Sequence, residues 1–241
     1  MYDLSNFKMT HMTKCSAAMR QMSEGAKNME EVANRIVHYC YNHLIDRQTG
    51  EKACALVRLY KTHPYGELDE ELQKFARALL GDYPESPKIK CLTLLATIGE
   101  NPKWNSRKNS VGHKAIPLPS EQAVVRTPMI SQLIRQFGLE IRDVVEQKPD
   151  LPVELEQKTY NVFHVSEAVG SLFIPAQKEF VIPFGIKSVL GFGGMLPSGD
   201  LFVIIMFSKV RISHETAELF KTVALSVKIA LLPFTYRAVF A

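Results

Sequence analysis

Between Ser23 and Asp46 the apolar positions Met29, Val32, Ala33, Ile36, Val37, Cys40 and Leu44 recur every three or four residues. That spacing puts them on one stripe and predicts a helix, ended by Asp46-Arg47-Gln48-Thr49-Gly50. Cys54 to Tyr60 is an apolar run bounded by Gly50 and His63-Pro64 and reads as a strand. A second helix is predicted from Asp69 to Leu80, closed by Gly81. Lys90 to Ile98 has period two, with Leu92, Leu94, Ala96 and Ile98 on one side and Cys91, Thr93, Leu95 and Thr97 on the other. A polar loop from Asn101 to Gly112 leads into an extended His113 to Leu118, where Pro117 suits an edge strand. Thr127 to Phe137 reads as a short helix ended by Gly138, followed by an acidic connection through Pro149 and Pro152 to Glu156.

In the last third, Tyr160 to Val165 reads as a strand, and Gly185 to Phe192 and Leu201 to Ser208 as a hairpin around Pro197-Ser198-Gly199-Asp200. Leu201 to Phe207 is apolar at every position, so both faces of that strand are expected to be covered. Ser213 caps a closing helix that runs to Pro233. Ala217, Phe220, Ala224, Val227 and Leu231 form its main stripe, and Leu219, Val223 and Ile229 widen it, enough to meet the sheet and another helix. Residues 1–22 carry five methionines without a clear period and are expected to be a loosely ordered lead-in to a single domain spanning 23–241.

The chain has 241 residues with ordinary globular composition, which removes disordered and collagen-like classes. The longest apolar run is far short of the roughly 20 residues of a membrane span, and the N-terminus lacks the apolar block of a secretory signal, so a cytoplasmic location is expected. Four cysteines, Cys15, Cys40, Cys54 and Cys91, lack the paired short spacing of zinc or redox motifs, and no metal site is expected from His38, Cys40 and His43. The net charge of +4 is unevenly placed. Lys88, Lys90, Lys103, Arg107, Lys108 and Lys114 make a basic stretch, and the segment from Glu140 to Glu156 an acidic one, which predicts two patches of opposite sign. The basic loop has the single aromatic Trp104 and no second stacking platform, so no nucleic-acid partner is expected. Gly191-Phe192-Gly193-Gly194 is followed by a turn and a strand, not a helix, which argues against a dinucleotide loop. It leaves two readings, a glycine-relieved strand or room for a ligand above the sheet. No serine elbow, His-Glu-x-x-His pair or Walker loop is present, so no catalytic residue and no enzyme activity are expected.

The segment Tyr160 to Pro233, above all Ile174 to Phe192 and the hairpin and helix after it, resembles the GAF domain, a relative of PAS domains in bacterial signalling proteins. The resemblance implies an α+β fold: an antiparallel sheet with the N- and C-terminal helices on one face, and loops and the Thr127 to Phe137 helix on the other. It further implies a sensor that binds a small molecule above the sheet, passes the change through its terminal helices in a homodimer, and acts on a signalling output protein. The chain departs from better-defined members: it has neither the Asn-Lys-Phe-Asp-Glu run of cyclic-nucleotide-binding domains nor the cysteine contexts of bilin-binding ones. Aromatic content near the expected cavity nominates Trp104, His164, Phe180, Phe184 and Phe192 as ligand contacts. His164 is also a candidate ligand for haem iron, with a structural hydrogen bond as its alternative role. Cys91, on the face turned toward the pocket, and Cys54 are candidate redox thiols, as in a thiol reductase, with inert burial as the alternative. A domain without ligand that serves only protein interaction is the remaining reading.

Overall fold

The structure, a computed structural model, describes residues 1–146, 161–237 and 239–240. Its strands are β1 (Tyr2–Asp3), β2 (Leu44–Ile45), β3 (Cys54–Pro64), β4 (Lys90–Gly99), β5 (Ala115–Leu118), β6 (Val162–Val165), β7 (Ser188–Met195) and β8 (Leu201–Ser208). The described helices are α1 (Met9–Arg20), α2 (Met29–His43), α3 (Glu70–Leu80), α4 (Glu121–Val125), α5 (Pro128–Gln136), α6 (Ile141–Val145) and α7 (His214–Leu231). Strands β3 to β8 form one antiparallel sheet in the order β5-β4-β3-β8-β7-β6, while β1 and β2 pair separately in parallel. Polar side chains start the main helices, at Ser213 as the sequence predicts. Asn28, Asp69 and Ser213 accept the exposed backbone N–H of Glu31, Leu72 and Thr216, and Gly81 ends α3 at φ +61°.

The uninterrupted apolar run of β8 is buried at all eight positions. Phe202, Ile204 and Met206 pack into the layer of α1, α2 and α7, with Phe220, Val223 and Val227 above them. Leu201, Val203, Ile205 and Phe207 pack into the opposite layer, built from α4, α5, α6 and the 174–186 segment. Two covered faces explain why no polar residue interrupts this strand. The hairpin turn before β8 is tied to β3 and β4 by buried charges. Lys61 Nζ is 2.7 Å and Lys90 Nζ 3.3 Å from the Asp200 carboxylate, and Ser198 Oγ donates to the same group at 2.7 Å. Burial pushes the Asp200 carboxyl upward, but the two ammonium groups outweigh it and hold the carboxyl below its ordinary value.

Three expectations are corrected. The lead-in is not loose: α1 lies against α7, with Phe7 stacked on Phe220 at 4.9 Å and Met19 and Cys15 buried. Its first turn has no acid and its only local cap is the Lys8 backbone N–H donating to His11 Nδ1 at 3.3 Å, so its place rests mainly on packing. In β4 the strict alternation breaks at Leu95. Leu59 pairs with Ala96 and Tyr60 with Leu94, so Leu95 is a bulge, and Ala96 and Ile98 turn to the face opposite Leu92 and Leu94. The basic stretch forms no surface patch, because half of it is internal. Lys90, Arg107 and Lys114 are buried, paired with Asp200, Glu30 and Glu71 respectively. The acidic connection lies from residue 147 onward outside the described residues, as does Tyr160. No helix among the described residues is long and apolar enough to cross a membrane.

Candidate functional site

On the sheet face away from the terminal helices lies a cavity of about 470 Å³, within the size range of small-molecule sites. Its floor is the sheet: Leu56, Arg58 and Tyr60 of β3, with Ile205 and Phe207 of β8. Helix α5 covers it through Ile130, Leu133 and Ile134. The 174–180 segment, which contains a short π-helical stretch, closes one side with Ile174 and Phe180. Trp104, Val111 and His113 of the loop after β4 form the rim.

That loop is anchored on both sides of its exposed tip. Gly99 N–H donates to Asn105 Oδ1 at 3.0 Å, and the Arg107 guanidinium donates to both oxygens of Glu30 on α2 at 3.1 and 2.9 Å. Lys114 Nζ donates to the Lys108 carbonyl at 2.7 Å. Between these anchors His113 has φ +59°, the one non-glycine residue with positive φ among those described, a backbone state usually held only where surroundings enforce it. Solvent still reaches its ring, yet the crowding of neighbouring atoms, and then the Arg58 charge, lowers the imidazole from its ordinary value. The Trp104 ring lies on the end of β4, where a Cβ on Gly99 would stand 2.8 Å from it and 2.6 Å from the Ala55 carbonyl. Only glycine admits that approach.

Of the five aromatic candidates, the structure brings three together. Trp104 and Phe180 line the cavity with ring centroids 5.5 Å apart, and Phe184 packs on Trp104 at 4.6 Å from outside the lining. Phe180 also meets Phe207 edge-on at 4.9 Å. Phe192 and His164 lie elsewhere. Phe192 faces α7, 5.1 Å from Phe220, fully buried in the terminal-helix layer. His164 points to the same side, its Nε2 3.0 Å from the Ile212 carbonyl, with burial as the main cause lowering its imidazole. A haem in the cavity would not be ligated by His164, since the sheet stands between them. Room above Gly191 and Gly193 is likewise taken: a Cβ at Gly191 would meet the Phe163 side chain, and one at Gly193 the backbone of Phe202.

The cysteines do not share a site. Cys54 begins β3, whereas Cys91 is opposite His63 nine residues further along it, about 30 Å at strand rise. Cys91 is packed with Leu72, Ala76 and Ala115 under α3, not at the cavity. Burial pushes both thiols up to about 12, which leaves little thiolate at neutral pH.

Sequence reasoning passed over Arg58. This residue is 9% exposed on a central strand and lies in the cavity lining. Its Nη1 donates to Tyr60 Oη at 3.1 Å and its Nη2 to Ser110 Oγ at 3.3 Å. The signal was a cation in the middle of the apolar run Cys54-Ala55-Leu56-Val57-Arg58-Leu59-Tyr60.

No family model and no curated protein sequence matches the chain. Solved structures do. Three of the similar structures are GAF domains. One comes from an Acinetobacter phosphoenolpyruvate-protein phosphotransferase, with 12% identity over 91% of this chain and 92% of that chain and a TM-score of 0.42. A second, from a Coxiella burnetii phosphoenolpyruvate-protein phosphotransferase, has 13% identity over 92% of this chain and 91% of that one, also at 0.42. A phycoerythrobilin-bound GAF domain from a cyanobacterial phytochrome has 12% identity over 92% of this chain and 95% of that chain, at 0.38.

Proposed function

We propose that the protein is a non-enzymatic, GAF-like regulatory domain of the cytoplasm that binds a small, largely apolar molecule in the cavity between β3, β8 and α5. The observation that carries this reading is the cavity itself, about 470 Å³ with an almost wholly apolar lining and a rim anchored by the buried Arg107–Glu30 pair and by Lys114 on Glu71. Occupancy would be felt across the sheet. Ile205 and Phe207 face the cavity while Ile204 and Met206, their neighbours in the same strand, carry α7. A displacement of β8 therefore moves both layers. Leu225, Ile229 and Leu232 form an exposed apolar stripe along the outer side of α7 at 43%, 41% and 39% exposure. In this reading the stripe meets a second copy of the chain and passes the displacement to it, and from there to an output protein.

The chain has one tryptophan, Trp104, and it lines the cavity, so its emission reports occupancy. Titration with decanol should change that emission saturably and alter hydrogen exchange in α7. Leu133→Phe, which fills the space under α5, should keep the fold and abolish the response. Absence of a saturable change, or an unchanged response in L133F, contradicts the reading.

A further inference from the structure

Arg58 supplies a positive charge to an otherwise greasy cavity. It has no carboxylate partner within ion-pair distance among the described residues; its two hydrogen bonds go to the neutral hydroxyls of Tyr60 and Ser110. Its Nε–H is buried and has no partner in the protein. Directly across the strand pair, on the same face, is Thr97, whose Oγ1 is also buried and without a partner. Opposite residues of antiparallel strands have Cβ atoms about 5 Å apart, so Thr97 flanks the stem of Arg58 behind the cavity wall.

The contrast with the other buried cations is informative. Lys61 and Lys90 share Asp200, and Arg107 holds Glu30. These charges are compensated within the chain, as burial requires. Arg58 alone among these four is held in place by hydroxyls that fix its orientation without neutralising it, and it lines the cavity. Glu179, the one acid in the lining, is exposed to solvent and makes no ion pair with Arg58.

We infer that the ligand is an apolar monocarboxylic acid whose carboxylate is bound by the Arg58 guanidinium, with its hydrocarbon body against Leu133, Ile205 and Phe180. A carboxylate fits the geometry because a guanidinium edge offers paired donors to two oxygens. One buried cation matches one negative charge, which favours a carboxylate over a doubly charged phosphate. This inference rests on the cavity being a binding site and specifies the chemistry that enters it.

The test compares decanoate with decanol by Trp104 emission and calorimetry, in the intact chain and in Arg58→Met. The unaltered protein should bind decanoate about tenfold or more tightly than decanol, the worth of a charge-assisted contact. R58M should bind the two alike, with the decanol affinity retained. Tyr60→Phe, which removes a hydroxyl that orients the guanidinium, should lower the preference by a smaller factor, and this keeps the test open if R58M does not fold. Equal affinity for acid and alcohol in the unaltered protein overturns carboxylate recognition and leaves the cavity reading standing. A preference that persists in both variants also overturns it. Failure of both probes to bind removes the cavity reading and this inference together.

Discussion

The two faces of the sheet use the same strands for different ends. Toward α1, α2 and α7, residues such as Phe192, Phe202 and Ile204 are fully buried against helix side chains. Toward α5 and the 174–180 segment, the alternate residues Arg58, Ile205 and Phe207 border open volume and an unneutralised charge. A strand has only one residue of thickness between its faces, so a stable face can hold an unfilled one in register. Substitutions should therefore separate stability from binding according to the face they fall on.

The largest effect is expected from Phe192→Ala on the packed face, which should cost about 3–5 kcal/mol in chemical denaturation while any decanoate bound by the folded fraction retains its affinity. Loss of binding at unchanged stability would mean that the faces are not divided in this way.

Next is a pH effect at the end of β3. Burial, followed by the Lys61 charge, lowers His63 to about 4, against an ordinary value near 6.5. Asp200 and Glu67 oppose the shift without cancelling it. Between these values the unfolded chain binds the extra proton and the folded chain does not. Stability is then full above about pH 6.5 and falls by up to about 3 kcal/mol as pH drops toward 4. Denaturation midpoints across that window should slope, and the slope should shrink in His63→Gln; an unchanged slope would remove His63 as its cause.

Leu133→Ala on the cavity face should lose only about 2 kcal/mol, the low end for a buried leucine, because the side chain already borders open space. The same variant should weaken decanoate more than Phe192→Ala does. The smallest effect on stability, within about 0.5 kcal/mol, is expected for Leu225→Glu with Ile229→Glu on the exposed side of α7. Sedimentation should then show a dimer in the parent and a monomer in the variant; a monomeric parent would contradict the dimer proposal.

Much of the sheet was legible because its signals are local: the apolar run of β8, the turn at Pro197–Asp200 and the cap at Ser213 each act within a few residues. The face of a side chain was less so. Phe192 sits in a strand with glycine on either side and apolar residues beyond, so period two gives no preference for one layer, and the register with Ile204 settles it. Likewise the bulge at Leu95 inverts an alternation that looks unbroken in sequence. The basic stretch misled because charge is read before its partners are known; Glu30 and Asp200 lie 77 and 110 positions from Arg107 and Lys90. The segment that leads into α1 is held by Phe7 stacking on Phe220, a contact that no local pattern encodes.

Methyl-resolved NMR during a decanoate titration addresses the division of the sheet directly. The account predicts that the methyl groups of Ile205, Leu133 and Ile130 shift first and most, with Ile204 and Val223 on the opposite face following at smaller amplitude. Shifts concentrated at Ile204 and Val223, or no shift at either set, would contradict it.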